Sequence, residues 1–264
     1  MKDKFTASPI EVHQLPADRA RPSVEPAADS IVIVAAEGLQ QEFDRLLKED
    51  VRLAVWVREM QRLELQVTIF GGWVRDRLVE QVHKRTCASR DIDLVSHGRV
   101  SVLEALPGDA VLNHFGGVGL QGSTLHVDAW NLQNTFLVRR HGLPVSFYHL
   151  PLTADYTVNA VVFKPAQFFQ SSELIDRGAV NAIWNGVLEF AADEVAQPLI
   201  QAARAVILAV RLELTPSPTV RSFVRVVCCS AANLETVVNG IRTYCPASSV
   251  EGALSLLRNI LSGA

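Results

Sequence analysis

Three aspartates carry a pattern that could support metal and phosphate chemistry. In "SRDIDLV" (89–95), Asp91 and Asp93 stand one residue apart among β-formers. A strand there puts both on one face and Ile92 and Leu94 on the other. Two carboxylates side by side repel each other unless a cation lies between them. Mg²⁺ suits such a pair, being a hard ion that takes oxygen ligands and completes its shell with water and substrate phosphates. In "TLHVDAW" (124–130), Thr124, His126 and Asp128 alternate with Leu125, Val127 and Ala129. Asp128 therefore belongs to the polar face of a second strand. If the two strands are neighbours, three acids converge on one sheet edge. Such a set can hold two Mg²⁺ (or Mn²⁺) ions about 3.5–4 Å apart and clamp both oxygens of an in-line phosphoryl displacement. Taken alone, Asp91 and Asp93 also read as two acids on a solvated strand face, and His126 as a hydrogen-bonded strand histidine.

The elements that would position these acids begin with "FGGWVRDRLV" (70–79). The apolar run "LQVTIF" reads as a strand, and Trp73–Val82 as a helix. Between them Gly71 and Gly72 permit backbone angles and close approaches that a Cβ blocks. A helix start there presents unpaired N–H groups and a positive dipole end, suited to phosphate oxygens. It is neither a P-loop nor a dinucleotide fingerprint, since G-K-[ST] and G-x-G-x-x-G are both absent. By itself the glycine pair is equally an ordinary strand-to-helix turn.

Around this centre the chain of 264 residues is 48% hydrophobic and 20% charged, a globular composition. Residues 1–30 carry four prolines among small and polar residues and read as a flexible N-terminal tail. "IVIVAA" (31–36) reads as a β-branched strand. Spacings of three and four from Gln40 to Leu63 predict one long helix, or two in series. Strands with turn punctuation fill 91–163, including "TVNAVVF", with a short helix near Val102–Leu106. Helices follow at roughly 193–213, 217–229, 231–243 and 248–262. An α/β domain over 31–190 and a small all-helical domain over 191–264 are therefore expected. The apolar faces of the last helices, with Ile207, Val210, Phe223, Val226 and Val227, read as core or as a homo-oligomer surface.

A formal net charge of −3 gives no global attraction to polyanions. Cys87, Cys228, Cys229 and Cys245 form no C-x-x-C pair and read as buried free thiols in a reducing compartment. No apolar leader and no run of about 18 apolar residues is seen, so a cytoplasmic protein without membrane contact is expected.

Together "FGGWVRDRLV…SRDIDLVSHG" resembles the head domain of the class II CCA-adding enzymes and bacterial poly(A) polymerases, within the DNA polymerase beta-like nucleotidyltransferases. The resemblance continues through "HFGGVGL…STLHVDAW", "ADYTVNAVVF", "ELIDRGAVNAIWNGVLEF" and the neck-like "QPLIQAARAVILAVRLEL". It implies an α/β head with a mixed sheet, followed by a helical neck-like domain. The implied activity is transfer of a nucleoside monophosphate from a nucleoside triphosphate to a hydroxyl, with RNA or an oligonucleotide as acceptor. Carried over by position, Asp91, Asp93 and Asp128 would be the catalytic, metal-holding acids. Gly71 and Gly72 would contact the triphosphate, and Arg75 and Asp76 would brace the turn or bind phosphate. Asp155 and Asn159 would lie near the ribose or base, and Arg204 would match a neck arginine of the nucleotide site.

Several features depart from that pattern. "EQVHKRTCAS" lengthens the loop before Asp-x-Asp, and Thr153 and Ala154 stand where the resemblance expects two arginines. The base-reading Glu-Asp-x-x-Arg of the CCA enzymes is absent. A local basic rim of Lys84, Arg85, Arg90 and "VRRHG" (138–142) reads as solvated charge or an acceptor side. These departures keep other readings open: a synthase of short oligonucleotide or nucleotide signals as in bacterial defence systems, a toxin-like nucleotidyltransferase, or an inactive nucleotide-binding module.

Overall fold

The computed structural model describes residues 12–15, 26–105, 111–112, 117–135 and 142–263. They form two compact units, divided between Asn185 and Gly186. Most of the expected tail lies outside the described residues, but Val12–Gln14 is a strand, β1, and residues 29–30 already belong to a helix. Basic Arg139, Arg140 and His141, and "PGD" (107–109), where the sequence reads as a turn, also lie outside them.

The larger unit opens with two helices in series, α1 (Asp29–Glu49) and α2 (Val51–Arg62). The break falls at Asp50, which takes extended backbone angles and caps α2 by accepting from Leu53 N–H at 3.0 Å. "IVIVAA" is thus helical, not the strand its β-branched residues suggest. Ala35, Ala36, Leu39, Phe43 and Leu46 form one buried face at helical spacing. That face sets the register and leaves Ile31, Ile33 and Val34 exposed.

A seven-stranded sheet follows. Its members are β2 (Gln66–Phe70), β3 (Asp91–His97), β4 (Val111–Leu112), β5 (Val118–Gln121), β6 (His126–Asn131), β7 (Val161–Lys164) and β8 (Glu173–Asp176). The spatial order is β4-β5-β6-β3-β2-β7-β8. Only β3 and β6 run parallel; every other pair is antiparallel, so the sheet is mixed as expected. Helix α3 (Gly72–His83) leaves β2 directly and packs against β2, β3 and β7, while α1 packs against α3 and β8. Gly38 of α1 lets the two helices approach, since a Cβ there would sit 2.7 Å from Gln81 Nε2. The expected strand "TVNAVVF" is split: Thr157–Asn159 is a 3₁₀ turn, and β7 begins only at Val161. Helix α4 (Ala179–Trp184) closes the unit.

The second unit is helical with small strand pairs, so it is not purely α. Two-stranded ladders join β1 to β10 (Glu194–Ala196), and β9 (Val187–Leu188) to β11 (Thr215–Pro216). Helices α5 (Pro198–Arg211), α6 (Pro218–Val227), α7 (Ala231–Tyr244) and α8 (Val250–Ser262) pack around Ala205, Val206, Phe223, Val237, Ile241 and Leu257. Residues 194–196, expected to be helical, pair with β1 before Pro198 starts α5 at a position proline favours. Ile207, Phe223 and Val227 are core, whereas Val226 is exposed. Cys228 and Cys245 are buried but Cys229 is exposed, a correction to the expectation of four buried thiols. Among the described residues no helix is long and apolar enough to cross a membrane.

Candidate active site

The site is built by register. In the parallel pair β3–β6, Asp93 lies opposite Asp128 and Asp91 opposite His126. In the antiparallel pair β2–β3, Phe70 lies opposite Asp93, so the Gly71–Gly72 turn emerges beside the two acids. Laterally paired residues share a face. Asp91, Asp93, His126 and Asp128 therefore stand together, each partly exposed, while Ile92, Leu94, Val127 and Ala129 on the other face are buried.

The glycines permit this crowding. Gly71 adopts φ 77° and ψ −135°, and a Cβ there would lie 3.0 Å from Asp93 Oδ2. Gly72, the first residue of α3, would place a Cβ 3.7 Å from Asp91 Oδ1. On β5, Gly119 faces Asp128, and a Cβ there would meet the His126 ring at 3.1 Å. The imidazole Nε2 of His126 stands 3.6 Å from Asp128 Oδ2, beyond a normal hydrogen bond. The expected hydrogen-bonded strand histidine is instead a neighbour of the third acid.

Arg75 and Asp76 are 4% and 1% exposed and paired with one another. Arg75 donates from Nε and Nη2 to Asp76 Oδ1, at 2.8 and 2.6 Å, and from Nη1 to Asn159 Oδ1 at 2.8 Å. Asn159 Nδ2 donates to Asp155 Oδ1 at 2.8 Å, and Ser89 Oγ donates to Asp76 Oδ2 at 3.1 Å. This chain ties the start of α3 to the 3₁₀ turn and to the loop that delivers Asp91. Burial and pairing make Arg75 and Asp76 braces of the glycine turn. Asp155 and Asn159 join them, so Gly71, Gly72, Arg75, Asp76, Asp91, Asp93, Asp128, Asp155 and Asn159 all belong to one unit. Arg204 is exposed on α5 of the other unit.

A residue without a motif also belongs here. Asp50 is fully buried and reaches across 74 positions to the turn that enters β6. Its Oδ2 accepts from Thr124 N–H at 3.0 Å and Thr124 Oγ at 3.2 Å, while Oδ1 caps α2. Burial alone would raise its pKa, but backbone hydrogen bonds from Leu53, Thr124 and Ser123 outweigh it and hold the carboxyl below its usual value. Only an aspartate between two helical runs marks it in the sequence. The lengthened loop is also anchored: Cys87 N–H donates to Glu80 Oε1 at 2.6 Å, and Arg77 donates to the Cys87 carbonyl.

The donor set is three hard carboxylates on adjacent in-register strands, which fits a divalent oxygen-seeking cation in chemistry. Among the described residues no three acidic, histidine or cysteine side chains are drawn together tightly enough to form a ready-made metal cluster. The three acids share one face of two adjacent strands.

No family model and no curated protein matches the chain. Solved structures do. A tRNA-processing enzyme in an apo form aligns with TM-score 0.54 and 18% identity, over 78% of this chain and 58% of that one. A CCA-adding enzyme with CTP gives 0.52 and 19%, over 76% and 49%. A tRNA nucleotidyltransferase complexed with a primer tRNA and an incoming ATP analog gives 0.53 and 18%, over 78% and 60%. The chain thus spans half to three fifths of these structures, and the likeness establishes a shared fold.

Proposed function

We propose that this chain is a metal-dependent nucleotidyltransferase. It would transfer a nucleoside monophosphate from a nucleoside triphosphate to a hydroxyl on an RNA or oligonucleotide acceptor. The observation that carries the reading is the register of Asp93 with Asp128, with Asp91 and the glycine turn alongside. In the reaction the acceptor oxygen forms a bond to the α-phosphorus while the bond to the β-phosphate bridging oxygen breaks. The acceptor loses its proton and pyrophosphate leaves.

Asp91, Asp93 and Asp128 would hold Mg²⁺ or Mn²⁺. Bound there, the ions supply charge neutralisation and a lowered pKa for the attacking hydroxyl. The N–H groups that open α3 orient the triphosphate, because the first turn of a helix leaves its donors unpaired. Gly71 and Gly72 let those oxygens approach without a Cβ in the way. Arg75, Asp76, Asn159 and Asp155 hold the turn rigid, which keeps the donors preorganised as charge develops. The structural neighbours described with CTP, with primer tRNA and with an ATP analog support a nucleotide substrate and an RNA acceptor.

A second reading, synthesis of short oligonucleotide or nucleotide signals, is favoured by one observation. Thr153 and Ala154, standing where arginines are expected, are 8% and 4% exposed at the end of a 3₁₀ segment. Those positions are packing sites that offer no cation to a long polyanion.

The test is incubation with each labelled nucleoside triphosphate and Mg²⁺ or Mn²⁺, with and without tRNA, with Asp91→Ala and Asp93→Ala as controls. Label on tRNA that vanishes in both variants is the expected result. An acceptor-independent product would select the second reading. Undiminished product in either folded variant would sink the assignment.

A further inference from the structure

The face of the sheet that carries the acids does not end with them. Residues of one parity continue along it: Val95 and His97 on β3, with Thr68 and Gln66 opposite them on β2, and then Lys164 on β7. In the middle of this face Val95, Leu132, Phe147, Leu150, Val162 and Ile175 form a buried cluster. At its far end, four residues beyond Asp93 and so about 13 Å along the strand, lies a concavity. It has a volume of about 260 Å³, and Gln66, His97, Phe147, Tyr148, Lys164 and Phe169 line it.

The lining has a specific chemistry. Phe147 meets His97 and Phe169 edge to face, with centroids 6.3 and 6.1 Å apart. Lys164 Nζ lies 4.7 Å from the Phe169 ring centre and 5.3 Å from that of Tyr148. Lys164 is also ion-paired with Glu173, and the Tyr148 hydroxyl donates to Glu173 at 3.0 Å, so the cation is neutralised and the phenol ring fixed. Such a pocket has little to offer a bare phosphate. Yet it is not a sealed core void, because Tyr148 is 50% exposed and Gln66 and His97 are exposed at its mouth. Among the described residues neither the Gln66 amide nor the His97 imidazole makes a side-chain hydrogen bond. Aromatic faces together with uncommitted amide and imidazole edges match a planar heterocycle that has both a π-face and polar edges.

We propose that this pocket is a nucleobase-stacking subsite, on the same sheet face as the acids and distinct from the phosphate turn. It rests on the nucleotidyltransferase reading for its role, and two sources could supply the base: the acceptor strand or the incoming nucleotide.

Binding measurements separate them. Wild type, Tyr148→Ala and Tyr148→Phe are titrated with a single-stranded oligonucleotide of about eight nucleotides and, separately, with a nucleoside triphosphate. Tyr148 is half exposed, so the alanine variant is expected to fold, which circular dichroism checks. Tyr148→Ala should weaken one of the two probes about five-fold or more, and Tyr148→Phe, which keeps the ring but loses its bond to Glu173, should stay closer to wild type than to the alanine variant. Weaker oligonucleotide binding assigns the acceptor's base, and weaker triphosphate binding assigns the incoming one. Three results overturn the subsite: no binding of either probe to the wild type, unchanged affinities in Tyr148→Ala, or a phenylalanine variant as weak as the alanine one. The dependence on catalysis is resolved by adding Asp91→Asn. If wild type never turns over but the Tyr148 effect stands in both backgrounds, nucleotidyl transfer falls and the subsite survives.

Discussion

Gly71→Ala tests the join between fold and site most sharply. Its φ of 77° with ψ −135° is a backbone state that essentially only glycine occupies, so a side chain there costs about 1–3 kcal/mol of strain. The new methyl would also lie 3.0 Å from Asp93 Oδ2, about 0.5 Å inside ordinary contact. Either the carboxylate or the turn must move. Gly72→Ala is the matched control: its Cβ would lie 3.6 Å from Arg75 Nη2 and 3.7 Å from Asp91 Oδ1, ordinary contacts, and its φ is not positive. There the loss of unfolded-state freedom should leave stability unchanged or raise it by about 0.4–1 kcal/mol. Urea unfolding of both variants reads the difference as a shift in midpoint at constant slope. The Gly71 variant should also lose roughly ten- to a hundred-fold in turnover, because a displaced acid misplaces the reacting groups. Equal stability in the two variants, or full turnover in Gly71→Ala, would refute the geometry argued for the turn.

Three further outcomes are expected. Asp50→Ala should destabilise the larger unit by about 2–3 kcal/mol, since α2 loses its cap and the part-buried hydrogen bonds from Thr124 lose their buried acceptor. With Asp50 held below its unfolded pKa, that stability is complete above about pH 4 and lost as pH falls through the folded value, so the gap between wild type and Asp50→Asn should narrow below about pH 4; a gap constant from about pH 7 to pH 3 in urea titrations would contradict it. Arg75→Ala should cost about 3–5 kcal/mol by removing the cation paired with buried Asp76, and Arg75→Lys should restore little of it, because lysine lacks the planar fork that reaches Asp76 and Asn159 together; denaturant midpoints decide. In brief alkylation near pH 8 followed by mass spectrometry, Cys229 should react first. Burial, with Cys229 beside it, pushes the Cys228 thiol up to about 11, and equal labelling of the two would be the contrary result.

What the sequence disclosed about the site followed from local rules. Asp91 and Asp93 could be put on one strand face because alternation is intrinsic to a strand, and Gly71 announced a turn because few residues tolerate its angles. Local rules failed where a long-range partner decides. The β-branched "IVIVAA" joined a helix because residues 35–46 present a continuous apolar face to bury, a benefit that strand propensity does not register. Strand β5 was hidden among glycines that read as turn residues, although Gly119 is there to make room for His126. Asp50 and Thr124, 74 positions apart, and Arg75 and Asn159, 84 apart, carry no mark of each other in composition or periodicity.

The split between exposed and buried acids then separates two roles that a motif runs together. Asp91, Asp93 and Asp128 stay partly exposed although a carboxylate beside a carboxylate is repulsive, an arrangement that stability alone does not favour. Asp76 and Asp50 are buried, and each has its oxygens taken by named donors. Removing a buried acid should cost stability first. Removing Asp91, which is partly exposed, should relieve its repulsion with Asp93, leaving stability unchanged or slightly raised while turnover disappears. That opposition of signs is the outcome expected of a residue held for a ligand rather than for the fold; urea midpoints beside turnover rates for Asp91→Ala and Asp76→Ala check it, and equal losses of stability would be the contrary result.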